Sequence, residues 1–264
     1  MKITALMENT GDTEKVRVEH GLSIYVETDR HRILFDSGQS DAFLDNARTL
    51  GIDLADVDIA VMSHGHFDHT GGLKAFLEVN KTAVVYMQCG AFIPHYNPVG
   101  KYIGVDQELK ENPRIHFVKD RIDIDDEVKI ESYHGRRIYL GIRSYGMTEE
   151  IDGARTADQF LHEQYLIVTE NDKKVLLSGC SHRGIYNIVQ WAADEHVQTL
   201  VGGFHFMKLE PEQFGEMDDT AKKLMEYPIT YYTCHCTGLE QYRYMKQIMG
   251  DQLQYLESGQ SIEV

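Results

Sequence analysis

The chain has little with which to staple, anchor or recruit. Its four cysteines, Cys89, Cys180, Cys234 and Cys236, are too few and too unevenly spaced for a disulfide framework. A reduced, cytoplasmic protein is expected. No apolar run approaches the roughly 18 residues of a membrane span, and the Met1-Lys2-Ile3 start lacks the apolar core and small-residue cleavage site of a secretory signal. No membrane association is expected. Cationic side chains are scarce, with 26 Lys and Arg against 42 Asp and Glu and a formal charge of −16. Such a surface repels nucleic acid and anionic lipid, which leaves a small molecule as the expected partner. Gly-x-Gly-x-x-Gly, P-loop and Gly-x-Ser-x-Gly patterns are also missing. With them go the sequence signs of dinucleotide binding, nucleotide-phosphate binding and a serine nucleophile.

What the chain has is length enough for a large core, 264 residues, and 13 histidines, several at the ends of apolar runs. Runs at 3–7, 22–27 and 32–36, the last two separated by a polar turn at 28–31, predict a strand and a hairpin. A helix is expected over 41–50, where Phe43, Leu44, Ala47 and Leu50 share a face and Gly51 ends it. Strands follow at 59–62 and 82–87, with a helix after Gly72 between them. The later part repeats this scheme. Strands are expected at 115–118, 127–133 and 138–142, a hairpin at 165–169 and 174–177, and then helices at 184–195, 211–227 and 239–249 alternating with strands at 199–202 and 229–233. Two such blocks with no compositional linker predict two similar halves packed as one domain, 1–264. Between them, residues 91–113 lose periodicity and gather Phe92, Pro94, His95, Tyr96, Pro98, Tyr102 and Pro113. This segment is expected to be a lid or substrate-binding insertion.

The chemistry concentrates after the strand at 59–62, in Ser63-His64-Gly65-His66-Phe67-Asp68-His69-Thr70-Gly71-Gly72. Three imidazoles and a carboxylate within six residues are metal ligands by type and density, with His64 and His66 thrown to one side and Asp68 and His69 delivered by the start of a helix. Imidazoles with a carboxylate suit zinc first, with iron or manganese as alternatives. Further strand ends carry Ser178-Gly179-Cys180-Ser181-His182-Arg183-Gly184, Gly202-Gly203-Phe204-His205 and Cys234-His235-Cys236-Thr237-Gly238. Cys234 and Cys236 lack the paired second motif of a zinc knuckle and read as packing. The acidic run at 123–127 reads as a solvated turn.

The first of these segments resembles the signature of the metallo-β-lactamase-fold superfamily, and the later three resemble one branch of it. That branch holds the dihydropterin-ribofuranosylaminobenzene-phosphate synthases and bacterial relatives called metal-dependent hydrolases. The resemblance runs over almost the whole chain. It implies an αββα four-layer sandwich of two similar halves with a two-metal centre at one edge of the paired sheets. It implies ligand roles for His64, His66, Asp68 and His69, and gives His235 to the ion held by Asp68 and His69. Most of the superfamily carries a Gly-Asp pair whose carboxylate bridges the metals; here the pair is Gly179-Cys180, with His182 two residues on. His182 is the preferred ligand of the His64/His66 ion and His162 the competing choice. Cys180 is left as a soft ligand, a buried thiol or a neighbour that shapes the loop. Asp36, ending its strand before Ser37-Gly38, is expected to orient a ligand loop through hydrogen bonds or to cap a turn. His205 is expected to contact substrate. Arg183, at a helix start, offers an anion site for a phosphate group or else an ion pair.

The expected activity is that of a metal-dependent hydrolase, in which a dinuclear, metal-activated hydroxide attacks a small anionic ester, amide or phosphoester and Asp68 helps hold the water. Three other readings stand beside it: a transferase displacing diphosphate from a pterin-type substrate, an iron-dependent sulfur oxidoreductase, and a non-catalytic metal-binding sensor.

Overall fold

The computed structural model describes residues 1–264. Alternation along the strands decides the layering. In the first sheet the strands Lys2–Met7, Ser23–Glu27 and Arg32–Phe35 pair antiparallel, and Ile59–Val61, Val84–Gln88 and Ile115–Val118 then continue in parallel. The second sheet repeats the plan. Arg121–Asp123, Val128–Glu131, Tyr165–Glu170 and Lys173–Leu177 pair antiparallel, and Thr199–Val201, Thr230–Thr233 and Leu253–Tyr255 extend it in parallel. The last strand, Ser261–Glu263, returns to the edge of the first sheet beside Lys2–Met7.

Because side chains alternate across a strand, each sheet presents two apolar faces. Ile33, Phe35, Ile59 and Val61 of the first sheet meet Leu166, Val168, Val175 and Leu177 of the second in the layer between the sheets. Leu34, Ala60 and Val85 face outward onto the helices Ala42–Thr49 and Leu73–Val79. Ile167, Leu176, Leu200 and Tyr231 face outward onto Ile185–Trp191, Asp218–Leu224 and Leu239–Met249. Three apolar clusters filling three gaps make the four layers of an αββα sandwich, the architecture expected from sequence.

Two local expectations fail for identifiable reasons. Residues 138–142 form no strand, because their backbone groups bond to side chains instead of a neighbouring strand. Asn187 Oδ1 accepts from the Tyr139 and Leu140 N–H groups while its Nδ2 donates to Leu140 O. The helix expected at 211–227 opens as a 3-10 segment, Pro211–Met217, before the α-helix Asp218–Leu224. Segment 91–113 carries the short strand His95–Tyr96, which pairs with Thr148–Ile151. With Ala154–Ala157 these strands make a small third sheet from parts of both halves.

The acidic run at 123–127 is more than a solvated turn. Arg30 bonds to Asp125 and Asp126 at 2.8 and 2.6 Å, and the His31 ring sits between Asp58 at 2.5 Å and Asp125 at 2.8 Å. Partial burial of His31 lowers its pKa, but the two carboxylates outweigh that and raise it above the ordinary value of 6.5. A raised histidine pKa adds stability that is complete below the unfolded value and lost as pH rises through the folded one. The stabilisation that His31 contributes is therefore expected to shrink as pH rises from about 6 to about 8. It is read as the difference in urea midpoint between the parent and His31→Gln, expected to be largest at the acidic end and to narrow toward pH 8; a gap that does not narrow would show that His31 gains no proton affinity on folding.

Candidate metal centre

The centre lies at the C-terminal ends of the parallel strands and is built outward from Asp36. This carboxylate ends the strand Arg32–Phe35 with φ 60° and is fully buried. Its Oδ1 accepts the Ser63 N–H at 2.7 Å, and its Oδ2 accepts the Ser63 hydroxyl at 2.7 Å and His69 Nδ1–H at 2.6 Å. Those bonds decide which ring nitrogens are bare. Donating its Nδ1–H to Asp36, His69 turns its Nε2 toward Cys180 Sγ, 3.0 Å away. The Ser63 oxygen, having donated its own proton to Asp36, accepts from His64 Nδ1 at 2.8 Å. That leaves His64 Nε2 bare, 3.2 Å from His182 Nε2. Asp36 thus orients the loop through hydrogen bonds, the first of its two expected roles.

The second half delivers its groups through tight reversals. Gly179 has φ 64° and Ser181 φ 57°, so the chain reverses on both sides of Cys180. A Cβ at Gly179 would lie 2.4 Å from Ser63 Oγ, so only glycine lets this loop settle on the Asp36–Ser63 contact. Glu163, fully buried, accepts the N–H groups of His182 at 2.7 Å and Arg183 at 3.1 Å and the Tyr165 hydroxyl at 2.8 Å. Glu8 acts likewise on the other loop, accepting the His235 N–H at 3.0 Å. Asn9 Oδ1 accepts a proton from His235 Nδ1 at 2.8 Å, and its oxygen is identified by the Gly21 N–H that also donates to it. His235 Nε2 is therefore bare, 3.4 Å from Asp68 Oδ2.

Two donor groups result. His64, His66 and His182 converge as one; Asp68, with His235 at 3.4 Å and His69 at 3.8 Å, makes the other. A histidine must be neutral to bind a metal, and three of the five favour that form, whereas Asp36 and Asp68 outweigh burial and raise the pKa of His69. Burial, together with the neighbouring rings, pushes His64 and His182 well below 6.5, and His235 goes down to about 4 through burial opposed by Asp68. Burial alone would raise the pKa of Asp68, but His69, His20 and His235 bring it well below the usual carboxylate range. The side-chain nitrogens His66 Nε2 and His235 Nε2 are sealed from solvent without a hydrogen-bond partner. Such atoms are costly to bury unless something completes them. The 3.2 Å between His64 and His182 is near the roughly 3.3 Å between two imidazole nitrogens sharing one tetrahedral ion. The residues present fit bound divalent metal.

His162 belongs to an overlapping group with His66, His95 and Asp158, all four buried and close enough to one another to hold an ion. Its Nδ1 accepts the Gly65 N–H at 2.9 Å, so its Nε2 carries the proton and faces Asp158 Oδ2 at 3.4 Å. Burial, with His95 nearby, brings its pKa to about 3. With His95 Nδ1 2.8 Å from the same carboxylate, these residues make a buried cluster behind His66. Arg183 departs from expectation. It is 3 % exposed, donates to Ser132 O at 2.9 Å and lies 4.5 Å over the Trp191 ring, so it does not line the cleft and forms no anion site there. Cys236 departs the other way, since it lines the cleft; Cys234 alone is packing.

The cleft has a volume of about 470 Å³ and is walled by Asn97, Pro98 and Ile103 of segment 91–113 and by Met147 opposite. At Tyr145, His182 and His205 it joins a side pocket of about 300 Å³ lined by Leu140, Ile142, Ile185, Phe204 and Phe206. His205 therefore stands at the junction, where a substrate contact was expected. Residues the sequence reading passed over include His20, whose Nε2 is 3.2 Å from Asp68, and Glu8, Asn9, His95, Asp158, Glu163 and Tyr145. Glu8 and Asn9 do follow directly on a strand end, the one available signal.

The metallo-beta-lactamase superfamily model matches residues 16–183. An uncharacterized protein of Methanocaldococcus jannaschii, MJ0448, is 28% identical over 258 residues, covering 93% of this chain and 94% of that one. The 7,8-dihydropterin-6-methyl-4-(beta-D-ribofuranosyl)-aminobenzene-5'-phosphate synthase of the same organism is 26% identical over 292 residues, covering 100% and 96%. The crystal structure of Tm1679, described as a metal-dependent hydrolase of the beta-lactamase superfamily, superposes with a TM-score of 0.85 at 30% identity, covering 100% of this chain and 99% of that one.

Asn9→Ala frees His235 to rotate and change tautomer. Zinc affinity at the Asp68/His69/His235 group is expected to fall by about 10- to 100-fold, the usual cost of losing a partner behind a ligand. Competition with a chromophoric chelator measures it, and unchanged affinity would show that Asn9 has no orienting role.

Proposed function

Because the chain belongs to the metallo-beta-lactamase superfamily, we propose that it is a metal-dependent hydrolase acting on a small ester, amide or phosphoester. The observation that carries this reading is the convergence of buried imidazoles and one ionised carboxylate on a single cleft. His64, His66 and His182 would hold one divalent ion and Asp68, His69 and His235 a second, most simply zinc. Ions held there would supply hydroxide at neutral pH and polarise the oxygen of the bond to be cut. The chain's own residues do the remaining work. Asp68, kept ionised and 13 % exposed with His20 beside it, holds the attacking water by accepting its proton in a hydrogen bond. His205 and Tyr145 contact the substrate where cleft and side pocket meet, and the side pocket, lined by apolar residues together with Arg143, Glu216 and Asp219, takes its non-reacting arm. With Arg183 turned away, Lys208 at the cleft is the cation placed to meet an anionic group.

A transferase displacing diphosphate from a pterin-type substrate is the second reading. It is favoured by the relative named as a synthase, which aligns over this whole chain. Diphosphate release from a pterin diphosphate only when an aromatic amine is present, without turnover of simple esters, would select it.

The test of hydrolysis is metal removal and return. Dialysis against a chelator is expected to abolish cleavage of chromogenic carboxylic and phosphate esters, and zinc to restore it with two ions per chain. His64→Ala and His235→Ala are each expected to retain the circular dichroism of the parent, lose an ion by metal mass spectrometry and lose at least about 100-fold in rate. Two ions retained in His235→Ala would overturn its assignment.

A further inference from the structure

Three consecutive buried residues, His162, Glu163 and Gln164, lead into the strand Tyr165–Glu170 and hold the backbone behind one donor group. Gln164 donates its N–H to Ser63 O at 2.7 Å and its side-chain Nε2–H to Met62 O at 2.9 Å. Glu163 accepts the His182 N–H at 2.7 Å, and the His162 ring accepts the Gly65 N–H at 2.9 Å. His64 lies between Ser63 and Gly65, and His66 follows Gly65. The triplet thus stands behind His64, His66 and His182, the three ligands proposed for one ion. Its hydrogen bonds do not reach Asp68, His69 or His235.

His162 can hold Gly65 only as the tautomer with its proton on Nε2, and a buried carboxylate stands where that proton points. Asp158 Oδ1 is taken by the Phe160 N–H at 2.7 Å, while Oδ2 faces His162 Nε2 at 3.4 Å and His95 Nδ1 at 2.8 Å. The other tautomer would set the His162 Nδ1–H against the Gly65 N–H in a place closed to water. The same assignment speaks against an ion among His66, His95, Asp158 and His162, because Nε2 would have to lose its proton while Nδ1 stays engaged. His95 reaches the ligand loop by a second route. Its carbonyl accepts the Ile103 N–H at 2.8 Å, and Ile103 O accepts the Phe67 N–H at 2.8 Å. His66 therefore sits between two fixed N–H groups, and both lines of contact meet at Asp158. Space enforces the fit, since a Cβ on Gly65 would lie 2.3 Å from Ala91 O.

We infer that His162 is a positioning residue: held in one tautomer by Asp158, it binds no ion itself and sets the affinity of the ion at His64, His66 and His182. The ion at Asp68, His69 and His235 does not depend on it. Ligands held in place before an ion arrives bind it more tightly than ligands that must be ordered by it. This inference rests on the two-ion reading of the cleft.

Zinc titration of the full chain against a chromophoric chelator, with one donor group disabled at a time, tests it. His64→Ala is expected to keep one zinc at the Asp68 group, and His235→Ala one zinc at the His64 group. Adding His162→Leu to His235→Ala is expected to weaken the remaining ion by about 10- to 100-fold. Added to His64→Ala, it is expected to change nothing. His162→Asn, whose Oδ1 can take the place of Nδ1 and accept the Gly65 N–H, is expected to recover most of the affinity lost by His162→Leu. No weakening, or equal weakening in both backgrounds, would overturn the positioning role. Complete loss of the ion without recovery by His162→Asn would make His162 a ligand, and a third zinc in the parent that His95→Ala removes would place an ion at Asp158. Each of these overturns the inference and leaves the two-ion reading intact. Failure of both His64→Ala and His235→Ala to hold any zinc would overturn the two-ion reading and this inference with it.

Discussion

The centre depends on a carboxylate that never meets the cleft. Asp36 is fully buried and takes its hydrogen bonds from Ser63 and His69 instead of from a lysine or arginine. A carboxylate in that position is stable only while all of its acceptor sites are used. The need to satisfy it therefore fixes the Ser63 backbone, the Ser63 hydroxyl and the His69 ring together. Through Ser63 the constraint reaches His64, and through the close approach of Gly179 it reaches the loop of the other half. One buried charge sets the protonation of two proposed ligands and the seat of the loop that carries a third.

The same device recurs. Glu163 accepts the N–H of His182 and Glu8 accepts the N–H of His235, each at a point where the chain has turned sharply. Buried carboxylates thus hold the backbone at three loops that bring ligands, and Asp158 adds another behind His66. Arg183, beside Glu163, is a cation placed among them. Burial raises the pKa of Glu8 and Glu163, so these two serve as hydrogen-bond acceptors for their loops, and Asp68 is the carboxylate kept ionised in the cleft for a cation. Binding and loop order are coupled, since an ion would complete the sealed nitrogens of His66 and His235, which these loops and their neighbours position.

How much of this is legible in the sequence follows from distance along the chain. His64 to His69 can be read because six consecutive residues supply most of two donor groups. The doubled order of hairpins and strand–helix units can be read because alternation and helical spacing are local signals. Asn9 and Glu8 are 226 and 227 residues from the histidine they orient, and a position just past a strand end is all that marks them locally. Arg183 shows the opposite hazard. A helix start beside a metal motif suggests an anion site, but the guanidinium turns inward to Ser132 and Trp191, a choice set by the tertiary core. Residues 138–142 have the composition of a strand and lack an edge to join, because Asn187 already meets their backbone groups.

The two halves do not contribute equally, and the difference explains the clamp at the far end of the same strands. The first half brings four proposed ligands on one short loop, whereas the second brings His182 and His235 on separate loops with Cys180 between the groups. Both groups therefore draw on both halves, and a slide of one sheet over the other would open both at once. The strands Arg32–Phe35 and Ile59–Val61 resist that slide at both ends. At their C-terminal ends Asp36 and Ser63 receive the Gly179 loop. At their N-terminal ends His31, held by Asp58, engages Asp125 in the turn between Arg121–Asp123 and Val128–Glu131 of the second sheet. The two contacts are about 13–17 Å apart by strand rise, far enough for each to limit rotation about the other. The histidine and aspartate pairs at the outer edge thus hold the register on which the metal-binding groups rely.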